Sequence, residues 1–394
     1  MDYKKYKYFW IRAAVTAALL FSFNLSSQIH NVHFEGRYLW VVRNTLTSKE
    51  NIDRMLAFAT LNRFNNILVQ VRGRGDAYYK SDIVPKSHLL KDVNFDPLAY
   101  LIPKAKEKGI NVHAWINTYI LWSSNKKPVQ PNHLFHTNPN WIDQNSREFL
   151  NLDEQIQKNK IPNKGFEGLY LSPNHPKVNS YLVTIARELI QNYDLDGIHL
   201  DYVRYHDSGY GKNPTAIAYY RKYHGINALS SSQLSKSEML EWSDYRRKSV
   251  TDLVRELRKM IDYVNPNVEL TAAVKPNLYE ARDRFFQEWD VWLAAGYLDK
   301  ALVMNYASNL KDFASNIDII YDNLPSKYWK RIVMGIATYN QSPSEVINKI
   351  KYSRVTRFKN VSFFSYNVMD QNPKYFRSIK KNTISSMIIK IKNI

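Results

Sequence analysis

The sequence predicts an α/β fold, a (β/α)8 TIM barrel with a long loop insertion after the third strand. Three observations predict it. Eight short apolar runs alternate with stretches of helical spacing from residue 36 to about residue 378, the repeat and length of such a barrel. Polar residues gather where the runs stop, at the strand ends where these folds carry their sites. The place after the first run holds Arg43-Asn44-Thr45. A doubly wound open sheet, the alternative, often shows a glycine-rich phosphate turn there.

Taken in order, Tyr38 to Val42 is a continuous apolar run suited to a buried strand. Thr47 or Ser48 can cap the next helix, whose inner side carries Ile52, Met55, Leu56, Ala59 and Leu61. Asn66 to Val71 is the second strand and delivers Arg72-Gly73-Arg74-Gly75-Asp76-Ala77-Tyr78-Tyr79 to a loop. Asp96 and Pro97 open a helix that Gly109 closes, and Asn111 to Ile116 is the third strand. The insertion, from about Leu121 to Leu169, is rich in Asn, Pro and Lys and has little periodicity. Loops of this length in a compact domain are usually lids or binding loops.

Val178 to Tyr193 has helical spacing and feeds the fourth strand, where Ile198 and Leu200 alternate with Gly197, His199 and Asp201. Ser237 to Val264 reads as a long helix and Val268 to Val274 as the fifth strand. Phe285 to Ala295 is an aromatic-rich helix stopped by Gly296, and Ala301 to Met304 is the sixth strand. Phe313 to Asn323 is helical, Ile332 to Ile336 is the seventh strand, Pro343 to Tyr352 is a helix, and Val361 to Tyr366 is the eighth strand.

Three segments follow from this reading: residues 1–27 as a signal peptide or uncleaved signal anchor, 28–378 as the barrel, and 379–394 as a basic C-terminal tail. Lys4, Lys5, Lys7 and Arg12 precede an apolar run from Ala13 to Phe23, which is of signal-peptide length and short for a membrane span. An exported product is expected: periplasmic, envelope-bound or secreted. The chain carries 55 Lys and Arg against 36 Asp and Glu, a net charge of +19. Such a surface favours association with an anionic cell envelope. With no cysteine, disulfides, thiolate metal sites and a thiol nucleophile are excluded. No HExxH, P-loop or GxSxG motif occurs, so no metal and no cofactor are expected. His113 and His199 fall inside strands and read as core histidines.

The strand ends supply the candidate site. Asp201 is the only carboxylate directly on a strand tip and is the expected central catalytic group. Glycoside cleavage normally uses two carboxylates roughly 5 to 9.5 Å apart. Asp76 and Asp370 are the positional candidates for the second, with Glu280 a further one. Substrate assistance by a 2-acetamido group is the other solution, and it suits an amino-sugar polymer. The expected substrate-binding set is Arg72, Arg74, Tyr79, Trp115, Asn117, Tyr202, Arg204, Tyr205, Lys275, Asn305 and Tyr306. Such Asn, Tyr, Arg and Trp groups commonly hold neutral sugars. The expected partner is thus a polysaccharide substrate. Charge alone motivates a polyanion binder, but an export signal argues against intracellular nucleic acid, and no nucleic-acid partner is expected. A carbohydrate-binding barrel or adhesin that retains the pocket without catalysis is the alternative to a hydrolase.

The segments QVRGRGDAYYKSDIVP, FDPLAYLIPKAKEKGINVHAWINTY and LYLSPNHPKVNSYLVTIARELIQNYDLDGIHLDYVRY resemble the bacterial glycosyl-hydrolase-like family 10, distinct from the xylanase family of similar name. The resemblance covers nearly the whole chain after the signal. It implies a secreted or envelope TIM barrel with glycosidase activity, with cell-wall glycan a substrate class among relatives. More distantly the chain resembles the α-amylase type of barrel, which implies Asp201 as the nucleophile's counterpart. There an Arg lies two residues before that Asp, where this chain has His199. The general-acid Glu at the fifth strand's end is replaced by Lys275-Pro276. The family often carries Asp-Asp-Tyr after the fourth strand, where this chain has Asp201-Tyr202.

Overall fold

A computed structural model describes residues 34–145, 167–224 and 235–382. The expected signal segment, residues 146–166 of the insertion and the chain beyond 382 lie outside the described residues. In chain order, β1 (Gly36–Val41) is followed by α1 (Lys49–Leu61), β2 (Asn66–Arg72), α2 (Pro97–Glu107) and β3 (Asn111–Asn117). The insertion contributes β4 (Ile120–Trp122), the single turn α3 (Leu134–Thr137) and β5 (Leu169–Tyr170). Next come α4 (Val178–Asn192), β6 (Gly197–Asp201), α5 (Pro214–His224), α6 (Lys236–Val264) and β7 (Glu269–Val274). The last third holds α7 (Leu278–Phe285), α8 (Trp289–Ala294), β8 (Lys300–Val303), α9 (Leu310–Asn323) and β9 (Ile332–Ala337). It ends with α10 (Pro343–Val355), β10 (Asn360–Phe364), α11 (Tyr366–Gln371) and α12 (Pro373–Asn382).

Eight strands close into a parallel barrel in the order β1-β10-β9-β8-β7-β6-β3-β2. Parallel strands are covered on both faces, so they read as apolar runs. β2 is buried at every residue. Alternate side chains serve two cores. Tyr38, Trp40, Leu68, Trp115, Ala273, Leu302 and Val333 fill the barrel interior. Their neighbours Leu39, Val41, Ile67, Val69 and Ala272 face the surrounding helices. Helix starts follow the capping chemistry read in the sequence. Ser48 accepts from the Asn51 amide, and Asp96 accepts from those of Leu98 and Ala99 at 3.1 Å each.

Leu61, expected on the inner side of α1, is the helix's last residue and is 70% exposed. Element boundaries also differ from the reading. The aromatic segment expected as one helix over 285–295 is divided: α7 ends at Phe285, Phe286 takes the left-handed conformation (φ 54°), and α8 starts at Trp289. The eighth strand stops at Phe364, and Tyr366 opens α11. Helix α12 crosses the boundary drawn at 378, because Phe376 and Ile379 pack into the core.

Candidate active site

Asp201 is the last residue of β6 and pairs in register with Asn117 at the end of β3. The chain then turns sharply. Tyr202 takes the left-handed conformation (φ 53°), which is unfavourable for a bulky residue and is retained where the surroundings over-determine it. That turn aims the Tyr202 amide back at Asp201 Oδ1 (2.8 Å), while the Asp201 carbonyl accepts from the Thr118 amide at 2.7 Å. Asp201 is 7% exposed. Burial pushes its carboxyl up to about 6, against the opposing pull of the Tyr202 amide and the Arg204 charge.

A second carboxylate reaches the same place from the insertion. β4 and β5 form an antiparallel ribbon, with Ile120 opposite Tyr170 and Trp122 opposite Leu169. Glu167 leaves the end of that ribbon. Its two oxygens accept from Arg204 Nη2 at 2.9 and 2.8 Å, and Oε2 also accepts from the Tyr170 hydroxyl. Burial acts to raise the Glu167 carboxyl. Arg204 and Tyr170 outweigh it, so the group lies below its usual range and stays ionised. Arg204 is buried, lies over the rings of Phe285 (4.8 Å) and Tyr202 (5.2 Å), and donates to the Tyr205 carbonyl at 3.1 Å.

Gly168 is what lets the ribbon deliver Glu167. Its φ is +143°, and a Cβ there would stand 2.5 Å from the Trp122 carbonyl oxygen. That oxygen belongs to backbone and cannot swing aside. Gly168→Ala is therefore expected to displace Glu167 from the cavity, with a stability cost of about 1–3 kcal/mol. Thermal melting of the variant measures the cost, and a crystal structure of it shows the displacement.

These groups open onto a cavity of about 470 Å³ at the carboxyl ends of the strands. Trp40, Trp115, Tyr306, Tyr339 and Phe364 give it aromatic walls. Trp40 meets Trp115 edge-on at 4.8 Å, and Tyr306 lies 5.7 Å from Phe364. Gln70, Asn117 and Arg43 line the side towards β1 to β3. Asn117 is fixed there, accepting from Trp115 Nε1 (2.9 Å) and Gln70 Nε2 (3.2 Å) and donating to the Gly73 carbonyl (2.7 Å). Aromatic faces with a few fixed polar groups suit a sugar ring, which offers both C–H faces and hydroxyls.

Of the residues expected from sequence, the structure brings Asp201, Trp115, Asn117, Tyr202, Arg204, Lys275 and Tyr306 onto the cavity. The others sit behind or away from it. Arg72 is fully buried and binds the carbonyls of Asn117 and Thr118, so it braces the loop after β3. Asp76 accepts from the Arg74 amide (3.0 Å), and Arg74 reaches Ser123 Oγ (2.9 Å). Tyr79 donates to Glu188 (3.2 Å), and Tyr205 is buried against Phe286. Asn305 donates to the Phe313 carbonyl (2.9 Å). Asp370, on α11, pairs with Arg54 at 3.4 Å and is not on the cavity. Glu280, on α7, pairs with Arg284.

The sequence reading missed Glu167. It stands 34 positions before Asp201, in a segment without periodicity. The one available signal was Glu167-Gly168 directly before the apolar run Leu169-Tyr170-Leu171. Trp40, Gln70 and Phe364 were also passed over, because inward-facing strand residues read as core.

A closed parallel barrel with an aromatic, carboxylate-bearing cavity at its strand ends belongs to the glycoside-hydrolase-like class of TIM barrels. Within that class the chain belongs to the Glycosyl hydrolase-like 10 family, whose sequence pattern it matches over residues 27–353. It is 27% identical to glycosyl hydrolase DigH of Escherichia coli strain K12 over 321 residues, covering 72% of this chain and 64% of that protein. It is 25% identical to glycosyl hydrolase YngK of Bacillus subtilis over 212 residues, covering 52% of this chain and 36% of that protein. The aligned part is thus less than two thirds of either curated relative. Among solved structures, the PgaB (BpsB) glycoside hydrolase domain of Bordetella bronchiseptica has the same fold, with a TM-score of 0.66 at 14% identity, covering 88% of this chain and 98% of that one.

Proposed function

We propose that the protein is an exported glycoside hydrolase acting on a polysaccharide, a cell-wall or other amino-sugar glycan, with Asp201 as the central catalytic carboxylate. The observation that carries this reading is the contrast between two acids on one cavity. Asp201 is pushed up to about 6 by burial, while Glu167 is held ionised by Arg204. Divergent acidities are how a pair of carboxylates divides the roles of proton donor and anion. Asp201 gives its proton to the glycosidic oxygen as the C–O bond breaks, and the leaving sugar departs as an alcohol. Glu167 offsets the positive charge that develops at the anomeric carbon. That carbon is then met by water, which gives up its proton to Glu167, or by the sugar's own 2-acetamido oxygen, in which case water opens the resulting oxazolinium ion and returns a proton to Asp201. Arg204 and Asn117 position the acids and the sugar, and the aromatic walls hold its faces.

Export is supported by the charged and apolar character of residues 1–27. The net charge of +19 supports retention on an anionic envelope. A non-catalytic carbohydrate-binding barrel is the second reading. It is favoured by the engagement of both Glu167 oxygens by Arg204 and by Lys275 at the fifth barrel strand's tip. Release of new reducing ends from purified peptidoglycan glycan and from chitin separates the two: saturable binding without release would leave the binder.

The hydrolase reading sets the pH profile. Asp201 acts protonated, so kcat/KM is expected to fall as pH rises through about 6. Glu167 acts ionised and lies below its usual range, so the acid limb should lie below the range of an ordinary glutamate. A rate that climbs steadily from pH 6 to pH 9 would remove Asp201 as the proton donor.

A further inference from the structure

In a parallel barrel all eight strands start at one end, and here that end lies opposite the cavity. Its charge is divided. β9, β10, β1 and β2 are neighbours in the barrel. The stretches that lead into them, up to the second residue of each strand, are 324–333, 355–361, 34–37 and 61–67. They carry seven Lys and Arg against one acid, Glu35, a balance of 7 − 1 = +6. The matching stretches of the other four strands are 108–112, 193–198, 264–270 and 295–301. These carry two lysines against Asp194, Asp196, Glu269 and Asp299, a balance of 2 − 4 = −2. Asp322, just before the first cationic stretch, is matched by Arg354 just before the second.

The cationic side is continuous. Asn360 donates to the Lys330 carbonyl (2.9 Å), and the Glu35 amide to the Lys359 carbonyl (2.7 Å). Arg37 donates to the carbonyls of Phe34 (2.7 Å) and Arg63 (2.6 Å). The Arg357 guanidinium lies 5.8 Å from the Trp329 ring centre. Lys327, Lys330, Arg357 and Lys359 are exposed, and Glu35 stands 3.7 Å from Lys359. Apolar groups lie among these charges. Leu61 and Val355 end α1 and α10 and are 70% and 54% exposed. Tyr328 and Trp329 are half-buried. The described chain also enters the barrel at this end, at Phe34, and the sequence before it holds the apolar run Ala13 to Phe23 behind Lys4, Lys5, Lys7 and Arg12.

Cations, aliphatic tips and half-buried Tyr and Trp together are the groups that suit a membrane–water interface. Headgroup phosphates attract the cations, and the apolar groups enter the boundary layer. A polyanionic strand would match the charges and leave the apolar tips unused. We propose that the strand-start end of the barrel docks on an anionic phospholipid bilayer through Lys327, Lys330, Arg357, Lys359, Leu61 and Val355, and so turns the cavity away from the membrane. This gives the envelope retention inferred above a face and a partner. It uses no residue of the cavity, so its failure leaves the glycan reading standing.

The test is co-sedimentation of the full chain with vesicles of phosphatidylcholine alone and of equal parts phosphatidylcholine and phosphatidylglycerol, with heparin as a polyanion without a bilayer. Residues 1–33 are common to every variant, so their own affinity for lipid cancels in the comparison. Anionic vesicles are expected to bind about a hundredfold or more tighter than neutral ones. The triple variant Lys327→Gln, Lys330→Gln, Lys359→Gln should lower that binding about thirtyfold or more, since each basic group near such a surface is worth several-fold. Lys80→Gln, Lys91→Gln and Lys126→Gln, in the loops at the cavity end, should together change it by about threefold at most, because salt screens distant charges. Leu61→Ser with Val355→Ser should cost about fivefold or more on anionic vesicles and nothing on heparin. Every substituted position is exposed, so the fold is kept. Equal binding to the two vesicles, or equal losses from the two lysine triples, overturns the proposal. An unchanged vesicle affinity for the Leu61 and Val355 pair, with heparin weakened by the base triple, overturns it as well and assigns the face to a polyanionic polymer.

Discussion

Asp201→Asn is expected to lower kcat for glycan hydrolysis by about 10²–10⁴-fold, the range spanned by loss of a general acid, with KM nearly unchanged. The amide keeps the shape of the carboxyl and still accepts the Tyr202 amide hydrogen bond, but it has no proton to give. The same substitution should make the protein more stable at neutral pH. Asp201 sits at about 6 in the folded state, above its ordinary value near 3.9. Its contribution is therefore fully present below about pH 3.9 and is lost as pH rises through about 6. Asparagine removes that loss. The gain at pH 7 is about 1–3 kcal/mol, since each pKa unit corresponds to about 1.4 kcal/mol, and it vanishes near pH 4. Thermal melting of both proteins at pH 4 and pH 7, with reducing-end assays, measures the two effects. Activity equal to wild type would take Asp201 out of the chemistry.

Arg204→Met should be the second large loss, about 10²-fold in kcat/KM, together with about 1–3 kcal/mol of stability. Breaking a fully buried ion pair costs about 3–5 kcal/mol. The figure is discounted because the Glu167 side chain is 37% exposed. Arg204 is a positioning residue, so the decisive reading is the pH profile. Its charge lowers both Glu167 and Asp201. Without it burial prevails at both carboxyls, and both limbs of the profile should move to higher pH. Arg204→Lys restores a charge without the planar fork. It should return the limbs part of the way while leaving the rate low. A variant that loses stability but keeps the wild-type profile would assign Arg204 to packing alone.

The barrel was legible because parallel strands covered on both faces announce themselves as apolar runs. Caps such as Ser48 and Asp96 announce where helices begin. Asp201 was legible for a related reason: a carboxylate ending an apolar strand stands out. Its partner was not. Glu167 joins the site only through the pairing of β4 with β5, a contact between segments about 50 positions apart, and non-local pairings leave no local pattern. The polar loop after β2 shows the opposite failure. Arg72, Asp76 and Tyr79 have the residue types of a binding site, yet their hydrogen bonds point inward to Asn117, Arg74 and Glu188. Residue type cannot distinguish a group that touches ligand from one that braces the backbone beneath it. Lys275 was read as a strand-end donor. The structure puts it on the cavity, among the charges of Arg204, Glu167, Glu280 and Arg284.

The two acids have different mountings. One belongs to the eight-stranded scaffold, and the other rides on a thin appendage of two paired segments, held by a single guanidinium whose charge also acts on the scaffold's own acid. Lengthening, trimming or exchanging that appendage changes the chemistry offered to a sugar without touching a rung of the barrel. New specificities can therefore arise here by grafting at one loop while the foundation stays as it is.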